Sequence, residues 1–263
     1  MNGSVGSFLL GAGAGVLLSG GAILLWMRGR APTAKPETSA ARTAELTSQI
    51  AHELKNPIMS IKGLASSGIR LHGSMSDEEH LEFFRLIDAE ADRLRIVADE
   101  ISTALRIDAS QLTYDVREHD LGSLVRDVAW RTPVGEHAMV VEAEEELTAR
   151  VDPTRFAEAL THVLDNASKF SPPDAPIEVR AYRSLHGEPL VDVIDRGPGI
   201  PVDRRQTVFG EFSEWRPAGY EHTPGAGLGL FICRAHLKAM DGRIDIVEEE
   251  KTGTMLRLTL RGG

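Results

Sequence analysis

The sequence predicts an α+β chain: an N-terminal transmembrane helix, a two-helix hairpin that dimerises into a four-helix bundle, and a C-terminal α/β sandwich. Three observations carry this expectation. Ser7 to Met27 holds no charged residue, and Arg28 and Arg30 follow at once. Two apolar heptad rhythms then run on either side of a break at His72-Gly73-Ser74. From about Leu112, helical stretches alternate with short strand-like runs. The expected boundaries are an anchor over 1–30, a juxtamembrane linker over 31–43, the hairpin over 44–108 and the sandwich over 112–263.

Taking the elements in order, 21 residues at about 1.5 Å each reach roughly 31 Å, enough to cross the hydrocarbon core. No Lys or Arg precedes the run, as a cleaved signal peptide's leading region requires, so a retained membrane helix is expected. Positive charge on its C-terminal side places the N-terminus outside and the bulk of a single-pass protein in the cytoplasm. Gly11 and Gly15 have the spacing that permits close helix–helix approach in a bilayer. About six residues precede the run. Input is therefore expected through the membrane helix, from the lipid bilayer or from a membrane-protein partner, rather than through an outer sensor domain. The Pro- and Thr-containing linker over 31–43 follows.

In the first hairpin helix Ile50, Leu54, Pro57, Ile61 and Leu64 form one apolar seam. In the second, Phe84, Ile87, Ala91, Leu94, Ala98, Ile101 and Leu105 hold the same rhythm. Ser76 and Glu79 form a capping box that starts the second helix. One hairpin cannot bury both seams, whereas two copies in a four-helix bundle can, so a homodimer is expected. In the sandwich, helices are predicted over 121–130, 153–170 and 228–240, and strands over 139–141, 177–181, 190–194, 244–247 and 255–260, with the helices on one sheet face. Leu256, Leu258 and Leu260 alternate with Met255, Arg257 and Thr259, as in a half-buried strand.

The formal net charge of −10 argues against direct binding of nucleic acid, which leaves a basic stripe. The one cysteine, Cys233, excludes an intrachain disulfide framework and reads as a small buried apolar residue.

The chemistry-bearing residues fall in separate segments. His52 and Glu53 open the stretch His52-Glu53-Leu54-Lys55-Asn56-Pro57. Ser48, His52 and Asn56 share a face offset from the Ile50–Leu54 seam, so the ring is expected to face solvent. A neutral imidazole can attack phosphorus, and a neighbouring carboxylate can take its proton. Over a hundred residues later come Asn166, Lys169 and Phe170, then Asp195-Arg196-Gly197-Pro198-Gly199, then Gly225-Ala226-Gly227-Leu228-Gly229 at the start of a helix. An amide oxygen such as that of Asn166 suits Mg²⁺, which keeps few protein ligands. Lys169 can neutralise phosphate, and Phe170 can pack on a base. Asp195 can accept from an adenine amino group while Gly197 and Gly199 let backbone approach the base. Free N–H groups at a helix start, as at Gly225, Gly227, Leu228 and Gly229, point at phosphate. A dinucleotide site needs such glycines after the first strand of a βαβ unit, and these come late.

In this order the motifs resemble those of bacterial two-component sensor histidine kinases, over roughly residues 44–263. The resemblance implies that His52 is the phosphoacceptor and Glu53 its assistant. It also implies that ATP and Mg²⁺ bind in a gyrase/Hsp90/histidine-kinase type domain, with Asn166 the metal ligand. A cognate response regulator is the implied partner. Asn56 matches the position associated with dephosphorylating that partner, which implies phosphatase activity alongside the kinase; a mainly phosphatase role, or a silent membrane adaptor, is the alternative. Val208-Phe209-Gly210-Glu211-Phe212 resembles the family's phenylalanine motif. Residues 213–224 are expected to be a lid that Trp215 and Tyr220 either pack or merely decorate. Gly253-Thr254 resembles a turn near the adenine. His162 stands where the family often has asparagine, and Ala226 where it has a hydroxyl.

Overall fold

A computed structural model of the chain describes residues 39–247 and 253–263. The expected membrane helix lies outside the described residues. Among those described, no helix is long and apolar enough to cross a membrane. The chain divides into compact units at 1–47 and 48–263, so the hairpin beyond Ser48 and the sandwich share the second unit.

Helix α1 is described over Ser39–Leu71 and runs through Pro57. Residues 39–43, placed in the linker by composition, are thus helical. A single 3-10 turn, His72–Ser74, leads to α2 (Asp77–Asp108). The capping box is present: Ser76 N–H donates to Glu79, and Glu79 N–H donates to the Ser76 hydroxyl.

The α2 seam differs from the sequence expectation. Ile87, Leu94 and Ile101 turn inward, but Val97 and Ala104 complete the buried line, while Ala91 and Ala98 are exposed. Phe84 and Leu105 are 66% and 49% exposed. Two apolar stripes lie side by side on this helix, and spacing alone merges them. One packs within the chain. The other, with Leu81 on α2 and Ile58, Met59 and Ile69 on α1, is exposed.

The sandwich contains β1 (Arg117–Asp120), α3 (Leu121–Arg131), β2 (Met139–Ala143), β3 (Thr148–Val151), α4 (Pro153–Phe170), β4 (Ile177–Arg183) and β5 (Pro189–Ile194). It ends with a 3-10 turn at Thr207–Phe209, α5 (Gly229–Ala239), β6 (Arg243–Val247) and β7 (Met255–Thr259). The main sheet runs β2-β4-β5-β7-β6, with β2–β4 parallel and the other pairs antiparallel. Strands β1 and β3 form a separate antiparallel pair.

Helix α4 shows how the core is specified. Asp152 caps it by accepting from the Thr154 and Arg155 amides, and Pro153 occupies its first turn, where no donor is needed. Phe156, Ala159, Leu160, Val163, Leu164 and Ala167 then repeat at helical spacing, and all are buried. They join Val179, Val191, Val193, Leu256 and Leu258 from the inner sheet face in one cluster.

The outer face carries an alternating charge row. Glu142, Arg180, Asp192, Arg257 and Asp245 are register partners across all five strands. Opposite charges side by side stabilise neighbouring strands. At the centre Arg257 grips Asp192 with two bonds of 2.7 and 2.8 Å, and Tyr182 donates to the same carboxylate. On β7 the half-buried expectation holds only at Arg257, because Met255 and Thr259 are also buried.

The segment joining the hairpin to the sandwich is clasped at two points. Asp115 N–H donates to Asp152, and Tyr114 hydroxyl lies 2.9 Å from His236 Nδ1. His236 is fully buried, with Nε2 3.1 Å from Glu158. Burial pushes the Glu158 carboxyl up, but His236 and Arg155 outweigh it and bring it from 4.5 to about 2. A carboxyl lowered on folding stabilises the fold fully above its unfolded pKa, and that contribution fades as pH falls through the folded value. Glu158→Gln should therefore lose stability at pH 7 and approach the parent near pH 2, read from urea midpoints at the two pH values. Equal losses at both would remove the carboxylate from the account.

Candidate active site

Separate chain segments build one cavity, among them α2 with Glu100. The last turn of α4 supplies Asp165, Asn166, Lys169 and Phe170, and the turn after β5 supplies Asp195 and Gly199. The stretch from Ser213 to Gly229 and the turn before β7, with Thr254, close it. Sheet register explains the meeting of distant residues: Ile194 pairs with Met255, so their neighbours Asp195 and Thr254 adjoin.

Asp195 is 7% exposed. Its Oδ1 accepts from Gly197 N–H at 2.8 Å and Thr254 N–H at 3.2 Å. Burial raises this carboxyl above the usual range, against those hydrogen bonds and the Arg196 charge. Backbone crowding makes the glycines necessary. A Cβ on Gly197 would sit 2.5 Å from the Phe170 carbonyl. Gly227 has φ +71°, and a Cβ there would meet the Ser213 backbone, whose N–H donates to the Gly227 carbonyl at 3.1 Å.

The lid is folded over the cavity and held by Arg216. Its guanidinium donates to the carbonyls of Ser213 and Trp215 on one side and of Thr223 and Gly225 on the other, at 2.8–3.4 Å. Tyr220 packs against Phe170 with ring centroids 5.8 Å apart, and Trp215 lies against the core. Both aromatics therefore pack the lid. Lys169 is paired with Asp165. From the position of a Cβ on Gly225, Lys169 Nζ is 3.8 Å away and Arg216 Nη2 3.9 Å, so two cations flank this backbone.

His52 lies on α1 with its side chain 71% exposed, as expected, and its Nδ1 is 3.5 Å from Glu53 Oε1. Asn56, one turn on, is also exposed. The Glu53 charge also bears on Arg216 in the lid and on Glu100 on α2, behind the larger influence of burial on each.

Of the residues singled out in sequence, Asn166, Lys169, Phe170, Asp195, Gly199, Gly225, Gly227, Gly229 and Thr254 line the cavity. Gly197 instead turns its N–H to Asp195, and the Leu228 side chain is fully buried as an anchor for α5. Two charged lining residues, Glu100 and Arg216, escaped the sequence reading, and His162, noted there only for standing where asparagine is common, also lines the cavity. Arg216 had a signal, being the one Lys or Arg between Ser213 and Pro224. Asn166 suits Mg²⁺ because it brings a half-buried amide oxygen to this cavity. Among the described residues, no three His, Cys, Asp or Glu side chains converge as an all-protein cage. A cation completed by phosphate and water oxygens is therefore the kind this donor set fits.

Comparison with known proteins matches two separate stretches of the chain. Residues 42–110 match the His Kinase A (phospho-acceptor) domain. Residues 151–262 match the histidine kinase-, DNA gyrase B-, and HSP90-like ATPase. Both matched domains, in this order, are of histidine-kinase type. The chain is 24% identical over 221 residues to sensor histidine kinase TmoS of Ectopseudomonas mendocina, covering 82% of this chain and 23% of that protein. A bacteriophytochrome of Pseudomonas aeruginosa is 28% identical over 220 residues, covering 82% and 29%. The chain thus spans about a quarter of the length of these curated relatives.

Solved structures share the fold. Histidine kinase ThkA, in complex with response regulator protein TrrA, superposes with TM-score 0.63 at 22% identity, covering 83% of this chain and 61% of that one. Histidine kinase AdeS of Acinetobacter baumannii gives 0.60 at 18% identity, covering 81% and 98%.

Proposed function

We propose that the chain is a membrane-anchored, homodimeric sensor kinase. It phosphorylates His52 from Mg-ATP and passes the phosphoryl group to an aspartate of a cognate response regulator. The observation carrying this is the position of Glu53. It lies beside an exposed His52, in a chain whose sandwich brings Asn166, Lys169 and Asp195 to one cavity.

The geometry suggests how the residues share the work. Glu53 accepts from Nδ1–H, which leaves the Nε2 lone pair facing outward as nucleophile. Nε2 forms a bond to the γ-phosphorus as the bond from phosphorus to the β–γ bridging oxygen breaks, and ADP leaves. The Nδ1 proton then passes to Glu53. Asn166 would hold Mg²⁺, which when bound supplies positive charge to the triphosphate. Lys169 and the N–H groups after Gly225 face the phosphates, while Asp195 and Phe170 hold the base. Such transfer depends on positioning and charge neutralisation more than on covalent chemistry by the protein.

The exposed stripe on the hairpin supports the homodimer, since a second copy would cover Phe84, Leu81 and Leu105. The uncharged run at Ser7–Met27 supports a single-pass anchor in the inner membrane, with input through that helix from the bilayer or a membrane protein. Asn56, exposed one turn from His52, favours a second activity, hydrolysis of the regulator's aspartyl phosphate.

The test is to incubate the full chain with Mg²⁺ and γ-labelled ATP. An acid-labile protein label is expected. ATP binding without any label would instead favour the phosphatase or adaptor reading.

A further inference from the structure

The hairpin contributes a carboxylate to the nucleotide cavity. Glu100 sits on α2 between the buried Val97 and Ala104, and its side chain is 14% exposed. It lines the same cavity as Asn166, Lys169 and Gly225. Its Oε1 is 3.6 Å from His162 Nδ1. The charged groups acting on it are Lys169 and Asp165 from α4 and Glu53 from α1. Burial is the largest influence and raises its pKa to about 7, with Lys169 opposing and the two acids adding. Burial also lowers the pKa of His162, so that ring is neutral at pH 8 and does not cancel the Glu100 charge.

We propose that Glu100 is a specificity-determining residue of the nucleotide pocket, a carboxylate at its phosphate end that sets how this chain discriminates nucleotides by phosphate number. The inference rests on the nucleotide-binding assignment above. The phosphate end is identified by Lys169 and Arg216, which flank Gly225, whereas Asp195 and Phe170 mark the base end. A carboxylate inside a shielded cavity repels each added phosphate charge more strongly than it would in water. Uncharged adenosine, held at the other end, should not feel it. Glu100 thus offsets part of the attraction supplied by Lys169 and keeps the triphosphate from binding too firmly. Because the carboxylate comes from the hairpin, withdrawal of α2 from the cavity would strengthen triphosphate binding without any change in the sandwich.

The experiment uses the full chain in detergent at pH 8 with Mg²⁺. Dissociation constants for AMPPNP, ADP and adenosine are measured for the parent, Glu100→Gln and Glu100→Asp. The Gln variant should bind AMPPNP about tenfold more tightly, ADP by a smaller factor and adenosine unchanged, while Asp keeps the parent's ranking. Equal shifts for all three, or none, would overturn the proposal while leaving the nucleotide site standing. Loss of adenosine binding in the Gln variant would make Glu100 a structural residue and overturn it as well. If the parent binds none of the three, the nucleotide assignment itself fails and this inference falls with it.

Discussion

His52→Ala should leave a folded chain that binds Mg-ATP with parental affinity and takes up no label. The side chain is 71% exposed and makes one marginal contact, to Glu53 at 3.5 Å. Removing it creates no cavity, and alanine favours a helix. The expected stability change is within about 0.5 kcal/mol, as for surface substitutions generally. Nor does His52 line the nucleotide cavity. Yet the reaction loses its nucleophile, and no nearby imidazole can replace it on that face: the other hairpin histidines, His72 and His80, sit at the distant turn, hydrogen-bonded to each other at 2.9 Å. Loss should therefore be complete rather than graded. Label retained in this variant would place the acceptor elsewhere.

Gly227→Ala should act on the opposite half of the reaction, with nearly as large an effect. The backbone there is left-handed at φ +71°, which costs a non-glycine residue about 1–2 kcal/mol by itself. The added methyl also runs into Ser213, with 2.6 Å to its nitrogen. Ser213 cannot simply retreat, because its carbonyl accepts from Arg216 and its N–H donates to Gly227. The lid must lift from its base, carrying Trp215 and Tyr220 with it. Nucleotide affinity should fall tenfold or more, each factor of ten corresponding to about 1.4 kcal/mol. Titration of a fluorescent ATP analogue against the parent and the variant reads this. Unchanged affinity would show that the lid seen here plays no part in holding nucleotide.

Sequence pattern located much of the sandwich, for a physical reason visible in α4. An acidic cap, a proline in the first turn and an unbroken apolar face set its limits at Pro153–Phe170. Strands β1 and β3 left no such mark. Arg117-Glu118-His119-Asp120 is entirely polar and is held by backbone pairing with β3, which periodicity cannot register. On α2, two adjacent apolar stripes obey the same heptad spacing, and only the packed structure separates the buried line through Val97 from the exposed one through Phe84. In the site, glycines and the Asn166, Lys169 and Asp195 positions were legible because local backbone geometry and ligand chemistry demand those residue types. Glu100 was not. Its meaning depends on a hairpin helix approaching α4 from elsewhere in the chain, and a glutamate on a helix otherwise reads as a solvated side chain. Arg216 belongs between these cases, a lone cation in a loop whose four carbonyl partners exist only once the lid folds.

The central claim is that the exposed histidine of α1 takes the γ-phosphoryl group from a nucleotide held by Asn166 and its neighbours. Mass-spectrometric mapping of the phosphoryl group tests it most directly. The full chain would be reacted with Mg-ATP and digested at neutral pH, with Asn166→Ala treated in parallel. The account predicts phosphohistidine at His52 in the parent and almost none in the variant. A phosphoryl group on any other residue, or full modification of His52 without Asn166, would contradict it.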